Sequence, residues 1–129
     1  MSDKKTILLV DDDEDVVLQF KPRFEEAGFN VVEAFSRKEA EQKLESLKPD
    51  LAVIDLMMEE KDAGFILAYH IKKMDSGIPV IMMTAVTGNT GLEFSSIDNT
   101  EKSWVRADVI LAKPVRFEQL MGEIRKLIK

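Results

Sequence analysis

Short apolar runs separated by longer amphipathic segments set the pattern of this chain. Four runs are only a few residues long and rich in β-branched side chains, which is typical of buried strands, and a further strand is expected after Gly28. Pro49 and Pro79 open two of these runs, where the missing N–H of proline is tolerated. The predicted strands cover residues 6–11, 30–34, 50–55, 79–84 and 108–112.

The segments between these runs carry apolar residues three or four positions apart, which is the spacing of an amphipathic helix. Ser36 and Glu39 have the spacing of a capping box, which predicts a helix start there. Gly28 and Gly77 stand where the C-caps of two helices belong. The four apolar stripes consist of Val16, Phe20, Phe24 and Ala27; Ala40, Leu44 and Leu47; Leu67, Ile71 and Met74; and Phe117, Leu120, Ile124 and Leu127.

Strands that alternate with helices predict an α/β fold with one parallel sheet and helices on both of its faces. Two places are harder to interpret. Pro22 lies inside the first helical stripe, and an interior proline costs about 3 kcal/mol, so the helix either bends there or has a different boundary. Residues 85–107 are polar and contain glycine, so we expect a long loop and then a short helix before the last strand.

Composition narrows the class of protein. A chain of 129 residues is the size of one compact domain, and we expect residues 1–129 to form a single domain. With 18 Lys and Arg against 24 Asp and Glu, the net charge of −6 disfavours nucleic-acid binding by this chain alone. The absence of cysteine excludes disulfides and thiolate metal sites. No apolar run is long enough for a signal peptide or a membrane span, so we expect a cytoplasmic protein.

Polar side chains follow four of the predicted strands at the point where each strand ends. Asp11, Asp12 and Asp13 end the first strand, and Asp55 ends the third. Thr84 and Lys113 end the fourth and the fifth in the same way. Ligands of doubly wound sheets bind outside the carboxyl ends of the strands, so these side chains are expected to share one site. Asp13 alone is interpreted as the N-cap of the first helix.

The residue types at these strand ends suit phosphoryl transfer. Clustered carboxylates repel one another, and a hard divalent cation such as Mg²⁺ relieves that repulsion through oxygen ligands. An aspartate can act as a nucleophile toward phosphorus. A threonine hydroxyl and a lysine ammonium can then stabilise the equatorial oxygens of the phosphoryl group. The only histidine is His70 in a helical stretch, so a zinc site and a Ser-His-Asp triad both lack support.

Four segments carry a resemblance to a known family. They read Ile-Leu-Leu-Val-Asp-Asp, Pro-Asp-Leu-Ala-Val-Ile-Asp-Leu-Met-Met, Pro-Val-Ile-Met-Met-Thr-Ala and Ala-Lys-Pro, and they span nearly the whole chain. In this order they resemble the response-regulator receiver family in its stand-alone, chemotaxis-regulator-like form. The resemblance implies a doubly wound, flavodoxin-like three-layer sandwich whose five parallel strands have the order 2-1-3-4-5.

The same resemblance implies a role for each site residue. Asp55 would be the phosphoacceptor, and Thr84 and Lys113 would meet the phosphoryl group. Mg²⁺ would be held by Asp11, Asp12, Asp55 and the backbone carbonyl of Met57. The Lys113–Pro114 bond would be cis.

Several departures from the family pattern concern the output of the switch. Glu59 replaces the usual proline after the acceptor, and Gly64 arrives one residue late. Ile110 stands where the family has an aromatic switch residue, so the usual aromatic rotation is not expected here. The connection between Thr84 and Lys113 is also longer than usual for the family.

The resemblance also implies partners and leaves one alternative open. The phosphoryl donor would be a sensor histidine kinase or a histidine phosphotransfer protein. Because the chain stops at Lys129, we expect no output domain, a signal passed by protein contact, and a monomer or weak dimer. The alternative is a pseudo-receiver, which is an interaction module of the same fold without phosphorylation. A phosphohydrolase of the haloacid dehalogenase type is disfavoured, because Asp15 stands where that family has threonine or valine.

Overall fold

The computed structural model describes residues 4–56, 58, 63–84 and 107–128. Five strands and four helices lie in these ranges, and the strands differ from the predicted ones by at most one residue at an end. In chain order the elements are β1 (Thr6–Val10), α1 (Glu14–Glu26), β2 (Asn30–Ala34), α2 (Arg37–Leu44), β3 (Leu51–Asp55), α3 (Ala63–Met74), β4 (Val80–Thr84), β5 (Val109–Ala112) and α4 (Phe117–Leu127).

The strands form one parallel sheet in the order β2-β1-β3-β4-β5, which confirms the predicted topology. The chain reverses its direction of winding between β1 and β3, because β2 lies outside β1 and the later strands continue on the other side. This reversal is the switch point at which doubly wound sheets bind ligands. Asp11 follows β1, and Asp55 ends β3, on the two sides of that switch point.

Helices cover both faces of the sheet, as alternating side chains of the strands require. On one face, Ile7 and Leu9 of β1 pack in a core shared with α1 and α4. On the other face, Leu8 and Val10 pack in a core shared with α2 and α3. The result is the three-layer sandwich. Among the described residues no helix combines the length and the apolar character that crossing a bilayer requires.

The helix ends follow local chemistry. Ser36 Oγ accepts a hydrogen bond from the N–H of Glu39, and Glu39 Oε1 accepts one from the N–H of Phe35, which confirms the predicted start of α2. At the end of α1, Gly28 has a φ of 101° and donates to the carbonyl of Glu25. This geometry completes a Schellman motif, which needs a residue with positive φ, so the predicted C-cap is confirmed.

Other details of the predicted helices are wrong. Leu47 lies beyond the end of α2, and Met74 at the end of α3 is 42% exposed. Gly77 is not a C-cap with positive φ; its N–H donates to the side chain of Asp75, which turns the chain after α3. Pro22 lies inside α1 with its side chain exposed, so the predicted alternative of a changed boundary is wrong.

Candidate functional site

The first part of the site is the turn that leads from β1 into α1. Asp11 directly follows β1 and is completely buried, and its N–H donates to the carbonyl of Ala34 on β2. Its Oδ1 accepts a hydrogen bond from the N–H of Asp13 at 2.9 Å. Asp13 is the N-cap of α1, as predicted, and accepts from the N–H of Asp15. Asp12 lies between them and is exposed.

Two further residues reach the same edge of the sheet from β3 and β4. Asp55 is the last residue of β3 and is only 5% exposed. Its partner in the sheet is Met83, so Thr84 lies one residue farther along β4. Thr84 is buried, and its carbonyl accepts a hydrogen bond of 2.7 Å from the N–H of Lys113. The backbone of β4 thereby holds the end of β5 in place.

Lys113 supplies the cation of the site. It follows β5 directly, and its Nζ lies 3.2 Å from Oδ2 of Asp11 and 3.2 Å from Oδ1 of Asp55. The peptide bond from Lys113 to Pro114 is cis, as the family resemblance implies. The ammonium group of Lys113 therefore meets the carboxylates of Asp11 and Asp55, and Thr84 ends the strand that lies between β3 and β5.

Burial and mutual repulsion shift the titration of these groups. Desolvation and then the charge of Asp11 raise the pKa of Asp55 to about 6, although Lys113 acts in the opposite direction. Desolvation also raises the pKa of Asp11, against the hydrogen bond from Asp13 and the charge of Lys113. For Lys113, desolvation lowers the pKa, but the two carboxylates outweigh it and the net shift is upward. One ammonium group thus only partly compensates two buried carboxylates.

The carboxylates fit a metal ion. Asp11, Asp12 and Asp55 each offer one oxygen, and these oxygens all lie within 4.8 Å of one another. Three ionised carboxylates and one ammonium group leave a local charge of −2, which a divalent cation balances. Carboxylate oxygens without nitrogen or sulfur partners suit a hard cation such as Mg²⁺. In the part of the chain that the structure describes, this is the one group of three or more such side chains placed to hold a metal.

Several predicted features lie outside the described residues. They are the backbone carbonyl of Met57, the Glu59 loop, and the long connection and short helix predicted within residues 85–107, of which only residue 107 is described. Ile110 is described and is half-buried against the core on the α2 and α3 face. His70 lies in α3, in agreement with its predicted place in a helical stretch, and is exposed.

One feature of the site is not evident from the sequence, namely the tight approach of α3 to the end of β3. Gly64 lies in the first turn of α3, and its N–H donates to the carbonyl of Leu56 at 2.8 Å. A Cβ atom at this position would lie 2.6 Å from Cα of Leu56 and 2.7 Å from the carbonyl oxygen of Asp55. The available signal was a glycine soon after the acceptor strand, one residue late for the family pattern.

Comparison with known proteins gives a consistent picture. The family described as the response regulator receiver domain matches residues 7–125. The alkaline phosphatase synthesis transcriptional regulatory protein PhoP of Bacillus subtilis is 29% identical over 125 residues, which are 97% of this chain and 49% of that protein. The chain thus spans about half the length of the curated relatives it matches.

Solved structures match this chain over nearly the whole length of both chains. A CheY-like receiver domain protein from Methanospirillum hungatei has a TM-score of 0.79 and 26% identity, covering 96% of this chain and 94% of that one. The response regulator TrrA from Thermotoga maritima, solved in complex with Mg(2+)-BeF, has a TM-score of 0.76 and 27% identity, with coverage of 96% and 99%. The chain therefore belongs to the response regulator receiver domain family, whose members are switches in two-component signalling and not conventional enzymes.

Proposed function

We propose that the protein is a phosphoacceptor switch that takes a phosphoryl group onto Asp55 from a sensor histidine kinase or a histidine phosphotransfer protein. The observation that carries this proposal is that the buried carboxylates of Asp55 and Asp11 share the ammonium group of Lys113. Asp55 is buried at a strand end, and the cation that would pair with a transferred phosphoryl group lies 3.2 Å from its Oδ1. A carboxylate held for structural reasons alone would not need a second buried carboxylate beside it.

The proposed reaction uses the side chains already in place. A carboxylate oxygen of Asp55 forms a bond to phosphorus while the bond from phosphorus to the donor breaks, giving an aspartyl phosphate. The ammonium group of Lys113 pairs with the new negative charge. Thr84, buried at the adjacent strand end, supplies a hydroxyl donor for a phosphoryl oxygen.

Mg²⁺ is the cofactor of the proposed reaction. Asp11, Asp12 and Asp55 would hold it, and the backbone carbonyl of Met57 is a further ligand by family resemblance. When bound, the ion would offset negative charge on the transferring phosphoryl group. The fit of three clustered carboxylates supports this assignment, and so does the relative from Thermotoga maritima that was solved with Mg(2+)-BeF.

The output is proposed to be a shift between two conformers that a partner protein distinguishes. Extra charge on Asp55 would draw Thr84 and Lys113 toward it, and β4 and β5 would transmit the change to their surroundings. Ile110 lies at the position of the family's aromatic switch and packs against the α2 and α3 core, so the readout would not use a rotating aromatic ring.

The remaining properties belong to the same proposal. Residues 1–129 would act as one receiver unit in the cytoplasm, as a monomer or weak dimer. The unit itself would not contact nucleic acid, because its net charge is −6. Its downstream target would be a protein.

Intact mass spectrometry tests the proposal. The protein is incubated with acetyl phosphate, with and without Mg²⁺, and compared with Asp55→Asn and with Asp15→Asn as a matched control. Asp15 is an exposed aspartate in the first turn of α1. We expect wild type and Asp15→Asn to gain one phosphoryl group only with Mg²⁺, and Asp55→Asn to gain none. No gain in wild type under any condition would contradict the proposal and favour a pseudo-receiver.

A further inference from the structure

The segment that follows Asp55 is held from two sides by backbone contacts. The N–H of Leu56 donates to the carbonyl of Met83 on β4 at 2.8 Å. The carbonyl of Leu56 accepts the N–H of Gly64 at the start of α3, also at 2.8 Å. Leu56 itself is 2% exposed, so its side chain is fixed in the core as well. The backbone that carries the Asp55 side chain therefore lies between β4 and α3.

The contact with α3 depends on the absence of a side chain at position 64. A Cβ there would lie 2.6 Å from Cα of Leu56, 2.7 Å from the carbonyl oxygen of Asp55 and 2.8 Å from that of Leu56. All three are backbone atoms, so no side chain can rotate away to make room. Either α3 or the backbone of Asp55 and Leu56 would have to move by several tenths of an ångström or more.

We propose that Gly64 is a positioning residue for the Asp55 carboxylate and for the metal site. This inference rests on the proposed function, because it concerns the geometry of the group that would bind Mg²⁺ and accept the phosphoryl group. Gly64 lets the first turn of α3 lie against the end of β3, and this contact sets the direction of the Asp55 side chain.

The need for glycine is specific to position 64. Ala63, the residue before it, is completely buried and is accommodated with its Cβ. Gly122 in α4 provides a contrast, since a Cβ built there meets nothing within 4 Å. The late arrival of the glycine in the sequence therefore marks where α3 approaches the acceptor strand in this chain.

Three variants test the proposal. Gly64→Ala places a methyl group against the acceptor backbone, and Gly122→Ala is the matched control in open space. The double variant Ala63→Gly with Gly64→Ala keeps a glycine in the same turn but moves it one position. Mg²⁺ affinity is measured by isothermal titration calorimetry, and the carbonyl carbon NMR shifts of Asp55 and Leu56 are recorded in the metal-free protein.

We expect Gly64→Ala and the double variant to bind Mg²⁺ at least about tenfold more weakly than wild type, because misaligned support commonly costs 10–100-fold. Both should shift the Asp55 and Leu56 carbonyl signals, and Gly122→Ala should match wild type in both measurements. Ile71→Val in the core of α3 serves as a variant that loses stability without touching the site. It should leave the Mg²⁺ affinity unchanged, which separates positioning from a general loss of stability.

The measured Mg²⁺ affinities decide whether Gly64 is a positioning residue. If Gly64→Ala binds Mg²⁺ as wild type does, Gly64 is not a positioning residue, although the proposed function stands. If the double variant recovers wild-type affinity, position 64 has no special role. If wild type binds no Mg²⁺, the proposed function fails and the inference fails with it. Should Gly64→Ala not fold, the titrations are repeated for all variants in trimethylamine N-oxide, which favours compact states.

Discussion

Lys113 Nζ lies 3.2 Å from Oδ1 of Asp55, although β4 separates the strands that carry these two residues. They meet because both lie at the carboxyl ends of their strands. The same Nζ is 3.2 Å from Oδ2 of Asp11, so a single cation serves two buried carboxylates. The site is therefore short of positive charge.

Replacement of Lys113 removes this cation while retaining most of the length of its side chain. We expect Lys113→Met to lower the metal-free free energy of unfolding by about 1–3 kcal/mol at pH 7.5, because Asp11 and Asp55 then lose their partner. The loss should be smaller at pH 5, where protonation of the carboxylates limits their repulsion. Urea unfolding of wild type and variant at both pH values measures it.

Lys126→Met is the matched control. The Lys126 side chain is 74% exposed, and its Nζ lies 3.8 Å from Oε2 of Glu123 on the same helix. An exposed pair of this kind contributes about 0–0.5 kcal/mol. If both lysine variants change the free energy of unfolding equally, Lys113 does not stabilise the protein through its two carboxylate partners.

Asp55 should make the metal-free protein less stable as pH rises. Its pKa of about 6 lies above the ordinary value of 3.8, so the folded state disfavours the carboxylate. The contribution of Asp55 to the free energy of unfolding is therefore most favourable below about pH 4. It falls as the pH rises from about 4 to above 6. Asp55→Asn should therefore be more stable than wild type by on the order of 2–3 kcal/mol at pH 7.5. It should match wild type near pH 4, as measured by urea unfolding in the presence of a chelator.

Asp75→Asn is a control of opposite sign. The hydrogen bond from Lys48 and then that from the Gly77 N–H lower the pKa of Asp75. The contribution of Asp75 to the stability of the fold is present above its ordinary pKa of 3.8 and is lost as the pH falls through the lowered pKa. Asp75→Asn should therefore destabilise the protein at pH 7.5. If Asp55→Asn also destabilises the metal-free protein at neutral pH, the described electrostatics of the site are wrong.

Mg²⁺ should stabilise the folded protein by relieving the repulsion among the carboxylates. At a concentration of about 100 times its dissociation constant, a ligand adds roughly 2.7 kcal/mol, which raises Tm by on the order of 10 °C for a chain of this size. Asp12→Asn should reduce this shift, and because Asp12 is exposed the variant should fold normally without metal. Thermal unfolding followed by circular dichroism measures both, with Asp15→Asn as the control. Equal Mg²⁺ responses in wild type and Asp12→Asn would exclude Asp12 as a ligand.

Gly28 should be required for its backbone conformation alone. Its φ of 101° is unfavourable for any residue with a Cβ, while a Cβ there meets nothing within 4 Å. We expect Gly28→Ala to lower the free energy of unfolding by about 1–2 kcal/mol. Gly122→Ala, inside α4, should raise it by about 0.5–1 kcal/mol. Urea unfolding compares them, and an unchanged stability of Gly28→Ala would mean that the end of α1 tolerates a different turn.

The sequence predicted much of the fold and of the candidate site, for identifiable reasons. The strands were evident because a parallel sheet covered on both faces needs short continuous apolar runs. Asp11, Asp55, Thr84 and Lys113 stand directly at strand ends, and parallel strands bring such ends to one edge. Their meeting therefore required only the correct sheet order, which the family resemblance supplied. The cis bond before Pro114 followed from the same resemblance.

Features that depend on packing distances could not be predicted from the sequence. Leu47 and Met74 continue apolar stripes, but the chain leaves the helix before Leu47, and the last turn of α3 leaves Met74 partly exposed. The role of Gly64 depends on how closely α3 approaches the end of β3, where a Cβ at position 64 would lie only 2.6 Å from Cα of Leu56, and no residue pattern reports this. Pro22 remained ambiguous because a proline inside a helix removes a backbone hydrogen bond, and the sequence does not report whether the helix continues past it. The structure shows that α1 does continue, with Pro22 exposed.

The most direct test of the central claim is to locate the phosphoryl group within the chain. After incubation with acetyl phosphate and Mg²⁺, the protein is reduced with borohydride, which converts an aspartyl phosphate to homoserine, and its peptides are sequenced by mass spectrometry. We predict homoserine at position 55, formed only with Mg²⁺ and absent from Asp55→Asn. Homoserine at another aspartate, or a modification that persists in Asp55→Asn, would contradict the assignment of Asp55 as the phosphoacceptor.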